Sequence, residues 1–249
     1  MAAQQLARSQ IREDVMKSHI LKIDPAESEQ GPNDQSYIGG KPTLPEDWEI
    51  PLCKLCGREQ TFFFQVAFPE GYEWAGSSLA VFACTSCASE DYAIPELLDV
   101  LQEAVIPDGF LETYQTNFRF FVFGTLSARI RNDYIEKIQF KRWLLEPAHA
   151  DRDPGNKMGG LPYWLLEDES PLNYRSTVSM AFLLQIVPDF KFDIVENAPP
   201  QMAVDFFGPQ GSYKPSQKRF YELFIGDALF LFGTSGSSEH LVYAVVQTD

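Results

Sequence analysis

Four cysteines stand in two pairs of equal spacing, Cys53-x-x-Cys56 and Cys84-x-x-Cys87, with 27 residues between the pairs. Four thiolates fill a tetrahedral shell around Zn2+ and leave no position for water or substrate, so the pattern predicts a structural zinc site. No histidine or carboxylate joins the set, which argues against a catalytic metal. Free buried thiols, a redox pair and an iron–sulfur cluster are the other readings of the same residues. Gly57 relieves the turn after the first pair, and Lys54 and Arg58 offset the negative charge of a four-thiolate centre. The spacer holds one apolar run and a turn, so a strand pair can bring the two knuckles together.

The remaining chemistry is sparse. His19, His149 and His240 lie outside any metal-ligand spacing. Glu239-His240 beside Ser237-Ser238 reads as a polar hairpin tip, since no nucleophile elbow accompanies it. The GTSG at 233–236 lacks the Lys-Ser/Thr end of a phosphate loop. Asp151, Asp153 and Asn156 resemble part of a calcium loop, but its glycine and terminal glutamate are missing. No catalytic constellation emerges.

A repeat positions what chemistry there is. Gly39, Gly40 and Pro42 of YIGGKPTLP recur as Gly159, Gly160 and Pro162 of KMGGLPYWL, 120 residues on. At the same offset Phe62-Phe63-Phe64-Gln65-Val66 becomes Phe182-Leu183-Leu184-Gln185-Ile186. Two related half-units are therefore expected, divided near Pro147–Pro154. Cys53 and Cys56 become Asn173 and Ser176 at this offset, so the zinc is expected in one copy only. Gly-Gly supplies backbone conformations that a Cβ resists. The apolar runs are short and Phe-rich and read as buried strands. A buried glutamine must find partners or cost ~1–3 kcal/mol. Gln65 and Gln185 are thus either pins for local backbone or, with Trp48 and Trp164 near the two turns, the lining of a cleft between the halves.

Further strands are expected at Leu79–Ala83 and Asn117–Phe123. Arg219–Ile225, Ala228–Phe232 and Leu241–Val246 form a terminal meander. Ile94, Leu97, Leu98, Leu101 and Val105 have helical spacing, with Pro95 suited to a first turn. Leu6–Met16 is a second helix candidate and Ile130, Tyr134 and Ile138 a third, although Lys137–Leu145 reads equally as a strand. Residues 27–36 read as a flexible linker. The expected fold is β-rich α+β, with mainly antiparallel strands, a few peripheral helices and one four-cysteine zinc knuckle pair. Its organisation is an N-terminal helix and linker (1–36), a first half with the cysteines (37–147) and a second without them (148–249), together one compact pseudo-symmetric domain.

The chain has 249 residues, 45% hydrophobic, enough for a substantial core. Its 35 acidic against 20 basic residues give a formal charge of −15. That balance opposes nucleic-acid binding, which needs a basic footprint, and docking on anionic lipid. It favours solubility and a basic protein partner. The N-terminus has no apolar h-region, and no apolar run approaches the ~20 residues of a membrane span, so a cytoplasmic protein is expected. In that reducing setting paired cysteines read as metal ligands rather than disulfides.

YIGGKPTLPEDW followed by FFFQVAFPEG resembles the YwqG-like family of bacterial proteins, in which such a turn precedes a strand ending in Gln and an apolar residue. The layout GGKP, CKLCG, FFFQV, VFACTSC is similar to the related domain of the eukaryotic programmed cell death protein 2 group. The resemblance runs from about Tyr37 to the C-terminus. It implies a β-rich duplicated domain, and it matches Cys53, Cys56, Cys84 and Cys87 to the family's zinc-type cysteines. The eukaryotic relatives look like chaperones that escort a basic small-subunit ribosomal protein. This chain lacks their further zinc-finger insertion and their cysteine pair before the second strand.

The reading that follows is a zinc-stabilised protein-binding module, chaperone-like or immunity-like toward a basic partner. Two rivals use a cleft between the halves. One is a small-ligand-binding domain. The other is an enzyme employing Gln65, Gln185 and carboxylates such as Glu46 or Asp168.

Overall fold

A computed structural model describes residues 18–26, 29–98, 104–205, 207–209 and 211–248. The first strands in chain order are β1 (His19–Ile23), β2 (Tyr37–Ile38), β3 (Thr43–Pro45), β4 (Thr61–Ala67), β5 (Ser77–Ala83), β6 (Val105–Ile106) and β7 (Phe118–Gly124). Next come β8 (Ala128–Ile130), β9 (Lys141–Pro147), β10 (Lys157–Met158), β11 (Asn173–Tyr174) and β12 (Val178–Ile186). The last are β13 (Phe192–Asp193), β14 (Met202–Val204), β15 (Tyr213–Pro215), β16 (Phe220–Tyr221), β17 (Ala228–Ser235) and β18 (Val242–Gln247).

One sheet carries the fold, in the order β18-β17-β12-β10-β1-β9-β2-β4-β5-β7. Every neighbouring pair along this path is antiparallel. β11 adds to β12 and takes β6 as a parallel partner. Three two-stranded ribbons, β3-β8, β13-β16 and β14-β15, lie outside the sheet. β4 is buried along nearly its whole length, as expected of a strand covered on both faces, where apolar residues run continuously rather than alternate.

Registers 120 residues apart are alike. Tyr37 pairs with Gln65 and Ile38 with Phe64; Lys157 pairs with Gln185 and Met158 with Leu184. Each long strand has a bulge at the same place, between Phe62 and Phe64 in β4 and between Phe182 and Leu184 in β12. The Gly39 N–H donates to the Phe63 carbonyl at 2.9 Å, and the Gly159 N–H to the Leu183 carbonyl at 2.9 Å. Gly39 and Gly40 have φ of +58° and +66°, and Gly159 and Gly160 have +70° and +69°. Those values lie in the left-handed region that glycine occupies without a steric penalty.

The strands preceding the two turns cross over. β1 comes before the first Gly-Gly turn yet pairs with β10, the strand at the second turn; β9 comes before the second turn and pairs with β2, at the first. β1 and β9 also pair with each other, from His19↔Pro147 to Ile23↔Trp143. The sheet is therefore continuous through its centre. A shared core packs β4, β5 and β7 residues with those of β12, β17 and β18. A smaller cluster on the first turn's side includes Tyr37, Leu44, Phe62, Phe82, Tyr134 and Phe140. Trp74, from the β4–β5 loop, donates its indole N–H to the Thr234 carbonyl at 2.8 Å and lies against Gly233, where any Cβ would collide with its ring.

Several expectations are corrected. Ile94–Leu98 is not helical: Pro95 is buried, the Leu98 N–H reaches the Tyr243 hydroxyl, and Val105 belongs to β6. Residues 99–103 lie outside the described residues, as does the candidate helix Leu6–Met16. Tyr134 is no helix residue but a cap, its hydroxyl accepting from the Phe62 N–H at 2.9 Å, while Lys141–Pro147 is strand. Only Phe220–Tyr221 of Arg219–Ile225 is paired as strand, and it pairs with β13 rather than with the β17–β18 hairpin. Described residues of the expected linker are pinned: Gln30 bonds both backbone groups of Lys41, and Asp34 holds Arg142 at 2.7 Å. Helix among the described residues is confined to one turn at Phe110–Thr113 and the 3-10 turns Glu90–Tyr92, Thr125–Ser127 and Leu223–Gly226.

A Cβ at Gly39 would meet the carbonyls of Gln139 and Ile138, whereas one at Gly76 meets nothing within 4 Å. Both glycines have positive φ. Gly76→Ala should cost only the ~1–2 kcal/mol of left-handed strain, and Gly39→Ala distinctly more. Urea-denaturation midpoints of the two variants measure the difference.

Candidate metal centre and the buried glutamines

The four cysteines sit at the open end of the β4–β5 hairpin. Thr61 pairs with Ala83, so the segment entering β4 and the segment leaving β5 emerge side by side. Each is locally shaped. The Cys53 N–H donates to the Arg58 carbonyl, and the Gly57 N–H to the Cys53 carbonyl, both at 2.8 Å. Gly57 takes φ +71°, as its place after the knuckle requires. Cys84 is held by its N–H to the Asn117 carbonyl at 2.7 Å, and Lys54 by its N–H to the Thr116 carbonyl at 3.0 Å. The hydroxyls of Thr61 and Thr85 meet at 2.6 Å beneath the pair.

The four Sγ atoms all lie within 4.8 Å of one another. Cys53 to Cys87 is 3.8 Å, Cys56 to Cys84 3.7 Å, and Cys84 to Cys87 3.5 Å. A tetrahedral thiolate site with metal–sulfur bonds of ~2.3 Å has sulfur–sulfur edges of about 3.8 Å, so the donor set fits a metal ion. Cys53 is buried, Cys84 and Cys87 are half-buried, and Cys56 is exposed. Burial pushes the Cys84 thiol up to about 11 and the Cys87 thiol higher still, helped by the neighbouring sulfurs. Burial also raises the Cys56 thiol, but the Arg58 backbone and bonds from the other thiols outweigh it and hold it below its usual range. Lys137 is a cation near the cluster that the sequence pattern did not suggest. Its ammonium is lowered by burial, with Glu59 and Cys84 acting the other way, and it reaches Glu59 at 3.7 Å.

The corresponding end of β12–β17 holds no cysteine. Ala181 pairs with Gly233 as Thr61 pairs with Ala83, so Thr234 occupies the place of Cys84. Between Asn173 and Ser176, Arg175 reaches Asp108 at 2.5 Å, Glu112 at 2.7 Å and Glu239 at 3.6 Å. Ion pairs this exposed are screened by solvent and contribute little.

Gln65 and Gln185 are both buried and spent on the fold. The Gln185 amide donates to the carbonyls of Asp153 (3.1 Å) and Gly155 (2.9 Å) and accepts from the Tyr163 N–H (2.9 Å). Gln65 donates to the Gln35 carbonyl at 3.2 Å, and the Tyr37 hydroxyl lies 3.5 Å from its Oε1. The neighbours match as well. Ser36 Oγ accepts from the Ala67 N–H, and Asn156 Oδ1 from the Val187 N–H. The Tyr37 hydroxyl donates to the Lys41 carbonyl; the buried Lys157 ammonium, held down to about 8 by desolvation, donates to the Leu161 and Asp151 carbonyls. Gln247, which the sequence reading missed, does the same work, accepting from the N–H groups of Leu165 and Leu166. The signal was a glutamine closing the apolar run 241–246.

Trp48 packs on Phe121 and Phe123 of β7, at one end of the sheet path, and Trp164 on Phe230 and Phe232 of β17, near the other. Trp164 thus lies beside Gln185, whose Oε1 accepts from the Tyr163 N–H, and Trp48 packs over Phe121, two strands across from Gln65. The two pairs are separated by β10, β1, β9 and β2 and do not form one cleft, and neither of two surface cavities among the described residues is lined by any of the four. No described helix is long and apolar enough to cross a membrane. No family model and no curated protein matches the chain.

Removing a cysteine ligand should lower both bound metal and stability. Cys56→Ser, read by metal content and thermal midpoint, checks this. Thiols bind metal only when deprotonated, so acidification should release it. The gap in midpoint between metal-loaded and chelator-treated protein should therefore narrow as pH falls. In the metal-free protein the raised thiols act oppositely: the stability they confer is present below 9.0 and lost as pH rises through about 11. Thermal melts of both forms across pH test the two signs. Gln185→Leu strands three backbone groups and should cost at least ~2 kcal/mol by urea denaturation.

Proposed function

We propose that the protein is an acidic protein-binding module whose four-cysteine centre holds a structural zinc ion and whose partner is basic. The observation that carries this reading is the charge of −15 on a fold whose four-sulfur centre is closed to substrate. Opposite charge steers a basic partner onto such a surface. The buried glutamines support it from the other side, because the amides an enzyme or ligand cleft would need are engaged with backbone. Zinc is the natural ion for four thiolates with tetrahedral spacing.

On this reading the chain consists of two related half-units, 37–147 and 148–249, preceded by 1–36. The shared registers at an offset of 120 support that division. The same features favour membership of the YwqG-like family and kinship with the programmed cell death protein 2 group, hence a cytoplasmic chaperone-like or immunity-like role without nucleic acid.

Affinity purification from cells at low and high salt, with mass spectrometry and metal analysis of the same sample, tests the proposal. The expected result is one or more basic proteins retained at low salt and lost at high salt, with one zinc per chain. Recovery of no basic protein, or of one indifferent to salt, counts against it.

A further inference from the structure

We propose that the groove between the Cys84–Ala93 segment and β14 binds an extended, cationic peptide segment of the partner, which adds as a strand to the open edge of β14. This deepens the protein-binding reading by naming the surface and the form of the ligand, and it rests on that reading.

The first observation is a strand edge that is partly open among the described residues. The Ser216 N–H donates to the Gln201 carbonyl and the Asp205 N–H to the Ser212 carbonyl. Residues 201, 203 and 205 therefore spend their peptide groups on β15, and those of Met202 and Val204 turn the other way. Pro215, opposite Met202, has no N–H to give, which agrees with this parity. The Met202 N–H is taken by the Thr85 carbonyl at 3.0 Å. Beyond that bond the outward Val204 N–H has no hydrogen-bond partner among the described residues, and a cavity of about 350 Å³ that Met202, Ala203 and Val204 line lies beside it. A strand edge beside a cavity suits strand addition, in which main-chain bonds supply affinity and side-chain pockets supply selectivity.

The second observation is backbone strain at the cavity wall. Phe224 and Ile225 have φ of +48° and +56°. A β-branched residue in that region is rare, and such strain concentrates at functional sites. Its effect here is to bury Phe224 in the wall while leaving Ile225 52% exposed, in a cavity that the exposed Tyr92 also lines. An apolar rim and a wall containing Phe63 fit an aliphatic side chain.

Charge sets the sign of the flanking residues. Among the described residues Glu222 is the one carboxylate lining the cavity, and it pairs with Lys218 at 2.6 Å. Glu90 and Asp91 stand exposed beside Tyr92. In an extended segment alternate side chains face opposite ways, so a cationic residue next to the aliphatic one points out of the cavity, where the exposed Glu90 and Asp91 can meet it.

The test uses the full-length, metal-loaded protein and fluorescein-labelled heptapeptides of alternating Lys and Val, with alternating Glu and Val as control. Anisotropy should show saturable binding of the Lys-Val peptide, weakened by salt, and none of the Glu-Val peptide. Val204→Pro removes an outward N–H without touching the β14–β15 bonds and should weaken binding by about tenfold or more. Ile225→Gly should do likewise while raising the thermal midpoint, since glycine accepts φ +56° freely. Opposite signs in stability and affinity separate a binding role from a structural one. No saturable binding, equal binding of both peptides, or parental affinity in Ile225→Gly overturns the proposal. If a basic partner purified from cells binds Ile225→Gly as tightly as the parent, the groove is refuted while the broader protein-binding reading stands.

Discussion

A bulged strand buried on both faces leaves backbone groups that the ladder cannot pair, and an unpaired buried carbonyl or N–H costs as much as a lost hydrogen bond. Most of what recurs in this molecule answers that requirement. The Gly-Gly turn bends back so that the first glycine's N–H meets the carbonyl at the bulge. Each buried glutamine collects carbonyls from the segment leading into the turn. Ser36 and Asn156 cap the next free N–H along the strand. Remove the bulge and the glycines, the glutamine and the cap would have no common purpose.

The second dependence is mutual. Because β1 pairs with β10 and β9 with β2, neither turn can be built from its own preceding strand. Trp74 tightens the arrangement by crossing from the β4–β5 loop to β17. The two hairpin ends are secured differently. One gathers four sulfurs; the other uses Arg175 and three carboxylates. A metal ion can fasten two loops far more strongly than exposed ion pairs can.

The glutamines, which sequence alone left between pin and cleft, are pins once their partners are seen. The strand edge proposed to bind a partner lies elsewhere, on β14 next to the cysteine loops, where the Val204 N–H has no hydrogen-bond partner among the described residues. No motif marked it, because an open edge is defined by what fails to pair with it.

Some of the structure was legible without coordinates. Cys-x-x-Cys spacing determines that two thiols can share an ion, and Gly-Gly-x-Pro at an offset of 120 determines where left-handed turns fall. Short Phe-rich runs determine buried strands, since local pattern and local burial coincide there. The helical spacing from Ile94 to Val105 misled because Val105 is claimed by β11 and Leu98 by Tyr243, contacts of long sequence separation. Arg219–Ile225 looked like a strand of the meander, but left-handed Phe224 and Ile225 break it, and no residue type announces strain. Only the tertiary structure decided the exchange of β1 and β9, the partners of the glutamines and the pairing of β14 with β15. Each depends on which strand lies beside which, and hydrogen-bond pairing between distant segments leaves no periodic trace in either one.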